Sequence, residues 1–426
     1  MEQIFPYVNC QLCNKTWIQV IGYITLCYGV IDDAYFYDFF MKIAVMAEVR
    51  MKHKAGRIVA VLLVLLIIVG GGAVAAIYQK NSLAHVYFHK LTDKTEKTTP
   101  VATTDKTASS TIDKTKLKAQ LKRLQFVGNV AVIQDGKLVY QQPYGQDPQK
   151  NTKTATTEYQ IGALQNTLTA AAVMQLVKDG KLDLTTPVSK YYLLDNADAS
   201  VTVGSLLEMT SGLTLDVLPA SELNKDVIAW NLANATVTTT GQYNFQTVNY
   251  ALLSGIITQA SGVSYQKFIK DTLLQPAGVK HTGFVTSAAV QSKLAPSFTY
   301  DKASDSDSAV TQDTLFQTMN DQLGSKQLYT TASDMAQLTH YITSSSFVGE
   351  KYMHQGAIAK AGTAYTGRLT IDGSRLVSRA DFAGYHNALA FTEDGKTGVV
   401  LLSNYQKDGS LSDTAKAILK LVQKND

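Results

Sequence analysis

The sequence predicts an α+β fold for residues 117–426, an antiparallel sheet flanked by helices, on three observations. The apolar run Val127–Val132 is followed by Asp135-Gly136 and by Lys137–Tyr140, and Asp-Gly supplies the positive φ that a tight turn requires, so this segment reads as a β-hairpin. A second hairpin lies near the end of the chain, with Ala388–Thr392, a turn over Glu393–Lys396 and then Thr397–Ser403. Helical spacing follows it: Leu411, Ala415, Ile418, Leu419 and Val422 share one side of a helix over Leu411–Val422. Strands at both ends with helices between them predict a sheet whose first and last segments meet.

The most informative helix between the hairpins runs from Thr167 to Gly180 and is apolar on nearly every side, so it belongs in the middle of a large domain. Gly180 suits the position just past a helix end, where a left-handed backbone is needed. The helix N-terminus, with its positive dipole end, is a favourable place for a nucleophile or an anionic group.

Ahead of this domain, residues 58–77 (IVAVLLVLLIIVGGGAVAAI) contain no charged side chain. At about 1.5 Å per residue they are long enough to cross a hydrocarbon layer of roughly 30 Å. Lys52, His53, Lys54 and Arg57 precede the run, a basic flank over residues 51–57 that stays cytoplasmic and places the chain after Tyr78 outside. A cleavable signal peptide is the rival, since Ala73-Val74-Ala75 fits a small-x-small cleavage site. Met51 begins a basic-then-apolar order of its own, and codons for Ala47-Glu48-Val49 can spell a ribosome-binding sequence. Residues 1–50 are therefore expected to be untranslated in the organism, or a disordered extension. Residues 78–116 are expected to be an extracytoplasmic tether. From residue 92 onward they are built of Thr, Lys, Asp and Ser, too polar to bury a core, with a coil reach of roughly 35 Å.

All three cysteines, Cys10, Cys13 and Cys27, precede the apolar run, so residues 117–426 have no disulfide and depend on a packed core. Cys10 and Cys13 lack a second Cys or His pair at ligand spacing, and His281, His340 and His354 are isolated, so no metal and no cofactor is expected. The formal net charge of +4 is small, and no basic stripe with interleaved aromatics occurs; nucleic acid is not an expected partner.

Five segments then carry a resemblance. Residues 158–192 (EYQIGALQNTLTAAAVMQLVKDGKLDLTTPVSKYY), 201–213 (VTVGSLLEMTSGL), 249–269 (NYALLSGIITQASGVSYQKFI), 328–338 (LYTTASDMAQL) and 397–404 (TGVVLLSN) resemble, in order, serine β-lactamases and penicillin-binding proteins of the class C and D-alanyl-D-alanine carboxypeptidase kind. The resemblance implies a β-lactamase/transpeptidase-like fold with a mostly helical lobe between about Leu182 and Tyr300 and a cleft at the junction. It also implies acyl transfer by a serine in Ser-x-x-Lys, with the lysine one helical turn on as the base that activates the hydroxyl. A Tyr-x-Asn motif and a strand motif, Lys-Thr-Gly or His-Thr-Gly, complete the family's site.

This chain departs from every one of those motifs. The register puts Ala163 at the serine and Asn166 at the lysine, Phe245 and Thr247 at the tyrosine and asparagine, and Ser378-Arg379-Ala380 at the strand motif. Met209 stands where the family commonly has histidine. A methyl group cannot attack a carbonyl, and loss of the nucleophile alone can lower turnover about a millionfold in a serine hydrolase. Thr167 and Thr169 are the nearby hydroxyls, but Thr167 has no lysine at the family's spacing.

Ser211 reads as a turn residue, His386 as structural, and the Gly70–Gly72 run as a weak helix-pairing signal. The ligand-binding candidates are Gln165, Asn166, Thr247, Ser378 and Arg379, the last able to pair with a carboxylate or phosphate. The expected function is a membrane-anchored, extracytoplasmic, catalytically inactive relative that binds peptidoglycan or teichoic-acid fragments or envelope proteins. The alternatives are a hydrolase with relocated groups, acting on D-alanyl peptides, teichoic-acid esters or β-lactams, and a structural or regulatory envelope protein.

Overall fold

The computed structural model describes residues 112–193, 200–217, 226–343, 347, 358–359 and 369–423, all within one compact unit. The expected extension, basic flank, span and most of the tether, with Cys10, Cys13, Cys27 and His354, lie outside the described residues. Among those residues no helix is long and apolar enough to cross a membrane.

The described chain opens with helix α1 (Lys114–Arg123), capped by Asp113, whose Oδ1 accepts from the Thr115 and Lys116 backbone N–H at 3.1 and 3.0 Å. Its last residues of expected tether, Lys114 to Lys116, are thus the first turn of the domain. The cap and the buried Leu117 and Leu121 explain why: polar composition does not prevent a helix that has one apolar stripe to bury.

Strands β1 (Val127–Gln134) and β2 (Lys137–Tyr144) form the opening hairpin, with Gly136 at φ 74° in its turn. A short strand β3 (Tyr159–Gln160) leads into a 3₁₀ turn, Gly162–Leu164, and then helix α2 (Gln165–Lys178). The mostly helical lobe follows, with α3 (Val203–Leu207), α4 (Val248–Ser261) and shorter helices. The chain returns through β4 (Leu328–Thr330), which pairs antiparallel with β3, and α5 (Ala332–Thr343). It ends with β5 (Ile358–Ala359), β6 (Leu369–Asp372), β7 (Arg375–Phe382), β8 (Tyr385–Thr392), β9 (Gly398–Tyr405) and α6 (Leu411–Val422).

The seven-stranded sheet has the order β5-β6-β7-β8-β9-β1-β2, antiparallel except for the β5–β6 pair. The first hairpin and the last do meet, through the antiparallel pairing of β1 with β9. Each sheet face has its own core. Leu376, Ala380, Phe382, Leu389 and Phe391 belong to the inner core with α2, whereas Val130, Val132, Ala388, Ala390 and Leu401 form the outer core with α1 and α6. Period-two alternation along β7 and β8 is what divides these residues between the faces. α6 buries Leu411, Ala415, Ile418, Leu419 and Val422, and each larger aliphatic among them contributes roughly 1.5–3 kcal/mol by leaving water.

Candidate functional site

The Gly162–Leu164 turn contacts β7 directly. Gly162 takes φ 51°, and a side chain there would come within 2.7 Å of the Phe382 Cβ and 3.7 Å of the Ala380 Cβ. Only a glycine allows this turn to sit so close to the strand. Ala163 follows at once, 7% exposed, with Asn166 wholly buried one helical turn later. Behind them α2 packs on α4, which begins immediately after Thr247. The fold therefore brings together the segments that hold Ala163, Asn166, Thr247 and Ser378. Phe245 lies two residues before Thr247, with 37% of its surface exposed.

Two of the ligand-binding candidates are engaged otherwise. Gln165 is buried in a closed set of bonds: its Nε2 donates to Leu323 O at 2.5 Å and to Tyr265 Oη at 3.2 Å, and its Oε1 accepts from Leu328 N–H at 2.8 Å. That amide joins α2 to the segment before β4, with both N–H donors used and its oxygen already accepting a bond. Arg379 is exposed on the outer face of β7, opposite to Ser378, because neighbouring strand residues point to opposite sides. There it adds to the lowering of the Asp381 and Asp413 carboxyls, which comes mainly from the His386 bond to Asp381 and the Lys416 bond to Asp413, rather than facing α2.

Ser378 faces inward. It is 3% exposed, and its hydroxyl has no hydrogen-bond partner among the described residues. Thr169 offers no replacement nucleophile: its hydroxyl is buried and bonded to Gly324 O at 2.6 Å and Tyr265 Oη at 2.7 Å. Burial pushes the Tyr265 hydroxyl up to about 12, against the opposing bonds from Thr169 and Gln165, so it is not a base at neutral pH. Thr167 is likewise fully buried.

Residues of the loop after α3 tie the lobe's segments together. Ser211 Oγ donates to Asn249 Oδ1 at 2.5 Å and accepts from Leu213 N–H at 3.1 Å, tying the loop after α3 to the start of α4. Met209 is buried at φ 55°, its carbonyl accepting from Asn244 N–H at 2.9 Å. His386 bonds Asp381 Oδ1 through Nδ1 at 2.7 Å on the outer face, and this bond is the main cause of the lowered Asp381 carboxyl. His340 Nδ1 meets Gly395 O at 2.9 Å, and His281 lies 3.4 Å from Glu158. Among the described residues no cluster of His, Cys, Asp or Glu could hold a metal.

One charged group escaped the sequence reading. Lys326 precedes β4, and its half-buried ammonium stands 5.9 Å from the centre of the Phe382 ring. Gln160 Nε2 reaches the Lys326 carbonyl at 3.5 Å. The ammonium forms no hydrogen bond or ion pair among the described residues. Burial lowers it from the ordinary lysine range, and Asp321 opposes that. The available signal was a lysine two residues before the LYTTASDM segment, in Gly324-Ser325-Lys326-Gln327, where the chain is about to enter the core.

Residues 115–423 match the family described as Beta-lactamase. The chain belongs to that family. PbpX of Bacillus subtilis (strain 168), a candidate penicillin-binding protein, is 23% identical over 320 residues, covering 73% of this chain and 79% of PbpX. Among solved structures, FmtA from Staphylococcus aureus superposes with a TM-score of 0.62 at 21% identity, covering 80% of this chain and 95% of FmtA. A class C β-lactamase superposes at 0.55 and 22% identity, covering 73% and 96%. The fold of this Beta-lactamase family member is thus the β-lactamase/transpeptidase fold, with its antiparallel sheet and flanking helices.

Proposed function

We propose that this family member binds a ligand or partner at the cell envelope without turning it over, held at the membrane by residues 58–77. The observation that carries the reading is Ala163, a methyl group at the turn beside β7 where the family has its nucleophile, with Asn166 in place of the base. Two features reduce support for a hydrolase with relocated groups: the nearby hydroxyl of Thr169 is bonded inside the core, and its partners there are a tyrosine hydroxyl and a backbone carbonyl, neither of them a base at neutral pH. The names of PbpX and its kind point to wall-related ligands, and peptidoglycan fragments, teichoic-acid fragments and envelope proteins are the candidate classes. A purely structural or regulatory role is the second reading, favoured by the closed bonding of Gln165.

Fluorescent penicillin tests the proposal. The purified full chain, incubated with the probe and run on a denaturing gel, is expected to carry no covalent label. A labelled band that unlabelled penicillin competes away would overturn the claim of inactivity.

A further inference from the structure

The outer face of the sheet, covered by α1 and α6, carries a segregation of charge that packing does not require. The chain as a whole is nearly balanced, with 39 Lys and Arg against 35 Asp and Glu. Helix α1 is not: Lys114, Lys116, Lys118, Lys122 and Arg123 fall within its ten residues, and none of the ten is acidic. Leu117 and Leu121 turn to the sheet, and all five basic side chains are exposed. At 3.6 residues per turn, Lys118 and Lys122 lie on one flank of the exposed Ala119, and Lys116 and Arg123 on the other. α6 packs beside α1 and extends the pattern, because Lys416 and Lys420 line a depression with Asp413 and with Arg375 of β7.

Few of these charges are compensated. Lys116 pairs with Asp113 at 3.3 Å, and Lys416 with Asp413 at 2.9 Å and Asp372 at 3.5 Å. Lys118, Lys122, Arg123 and Lys420 make no ion pair among the described residues. Lys114 with Lys118, and Lys118 with Lys122, are like charges one turn apart, an arrangement that disfavours a helix. An anionic surface laid against the face would reverse that penalty.

The entry point of the chain indicates which surface that is. α1 is the first described element, and residues 78–113, whose coil reach is roughly 35 Å, separate it from the apolar run 58–77. A domain held that close has a high effective concentration at the bilayer, so a weak attraction per lysine is enough to orient it. Lysines predominate on the face. They act as mobile point charges without the planar fork of arginine, which suits a diffuse array of lipid headgroups better than one shaped anion site.

We propose that the α1–α6 face docks on anionic lipid at the membrane surface, so that the α2 side of the sheet is turned away from the bilayer. This rests on the membrane-anchored reading above and adds an orientation to it.

The test uses the full chain with Cys10, Cys13 and Cys27 replaced by serine and a fluorophore on Ala119→Cys. It is reconstituted with vesicles of phosphatidylcholine alone or with about one-third phosphatidylglycerol, each containing a headgroup-labelled energy acceptor. Flotation of the vesicles at high salt reports the anchor, and energy transfer at low salt reports the face. Transfer is expected to be about twofold or more greater with phosphatidylglycerol, and to lose that excess in about 1 M salt, where the screening length falls to about 3 Å. The excess is expected to vanish when Lys114→Glu, Lys118→Glu and Lys122→Glu are combined and to persist when the same three are changed to arginine, with thermal melts confirming that both variants fold. Equal transfer in the two lipids, or an excess that survives the glutamate variant, would overturn the docking while leaving the anchor in place. Flotation lost at high salt, with a lysine-dependent association with phosphatidylglycerol vesicles at low salt, would overturn the anchor and support the face. Association with neither vesicle would overturn both. Lysine-dependent binding of a soluble glycerol-phosphate polymer, with equal transfer in the two lipids, would overturn the bilayer as the partner of this face.

Discussion

The two sides of the junction between α2 and β7 use their polar groups differently. On the α2 side, Gln165 has both donor and acceptor bonds inside the core, and Thr169 is bonded to Gly324 and Tyr265. On the β7 side, the Ser378 hydroxyl and the Lys326 ammonium, which stands beside Phe382, make no hydrogen bond among the described residues. The difference teaches that polar groups at one junction need not share one structural fate. One side serves as scaffold, and the other retains groups whose bonding capacity is open.

The largest expected effect sets the scale for a scaffold polar group. Asp147 and Lys153 form an ion pair at 3.0 Å with side chains 0% and 3% exposed, and Asn404 donates to the same carboxylate at 3.0 Å. Asp147→Asn is expected to destabilise the fold by about 3–5 kcal/mol in urea, because Lys153 is left buried without its counter-ion. Burial is the largest influence on the Asp147 carboxyl and would raise it, but bonds from the Asn151 backbone, Asn404 and Lys153 together hold it below the ordinary range. Its contribution is therefore full above the unfolded carboxylate value of about 4 and is lost as pH falls through the lower folded value. Stability measured below about pH 4 is expected to fall less steeply in Asp147→Asn than in the unmodified chain. If the acid limbs coincide, Asp147 is not the group that titrates.

Gln165→Leu comes next, at about 2–4 kcal/mol, since it leaves Leu323 O, Leu328 N–H and Tyr265 Oη short of partners. A change under about 0.5 kcal/mol in the same urea titration would show that the α2 side is not scaffold, and the contrast between the sides would disappear.

Ser378→Ala is the smallest and has the opposite sign. Removing an unpartnered buried hydroxyl is expected to raise stability by about 0.5–1 kcal/mol, seen as a higher melting temperature. Destabilisation instead would mean that the hydroxyl has a stabilising role in the free protein, and the β7 side would be open at Lys326 alone.

Much of the frame was legible in the sequence. The α6 boundaries and its buried stripe followed from periodicity, because an amphipathic helix on a sheet has one stripe to hide. The Asp135-Gly136 turn and the β1–β9 pairing followed from turn chemistry and from strands at both ends. The candidate site was only partly legible. Register assigned Ala163, Asn166, Ser378 and Arg379 to motif positions, but it could not tell which of Ser378 and Arg379 faces α2. Period two guarantees that adjacent strand residues part company, and the packing of the sheet decides which one turns inward. Gln165 looked available because its acceptors and donors, Leu323 and Leu328, lie far along the chain. Lys326 was missed for the same reason: its setting is made by Phe382 and Asp321, neither of which is its helical or strand neighbour.

By itself, then, the sequence determined the fold class and, to within a few residues, the helices and strands that rest on local periodicity. These depend on residue identity and short-range spacing, which a linear chain states directly. The tertiary structure alone decided that Gln165 is bonded inside the core, that Arg379 turns away, and that Lys326 stands beside Phe382 without an ion pair among the described residues. Those outcomes depend on desolvation and on partners that are not neighbours in sequence, as with Gln165 and Leu323, 158 residues apart, and such contacts exist only after the sheet and helices have packed.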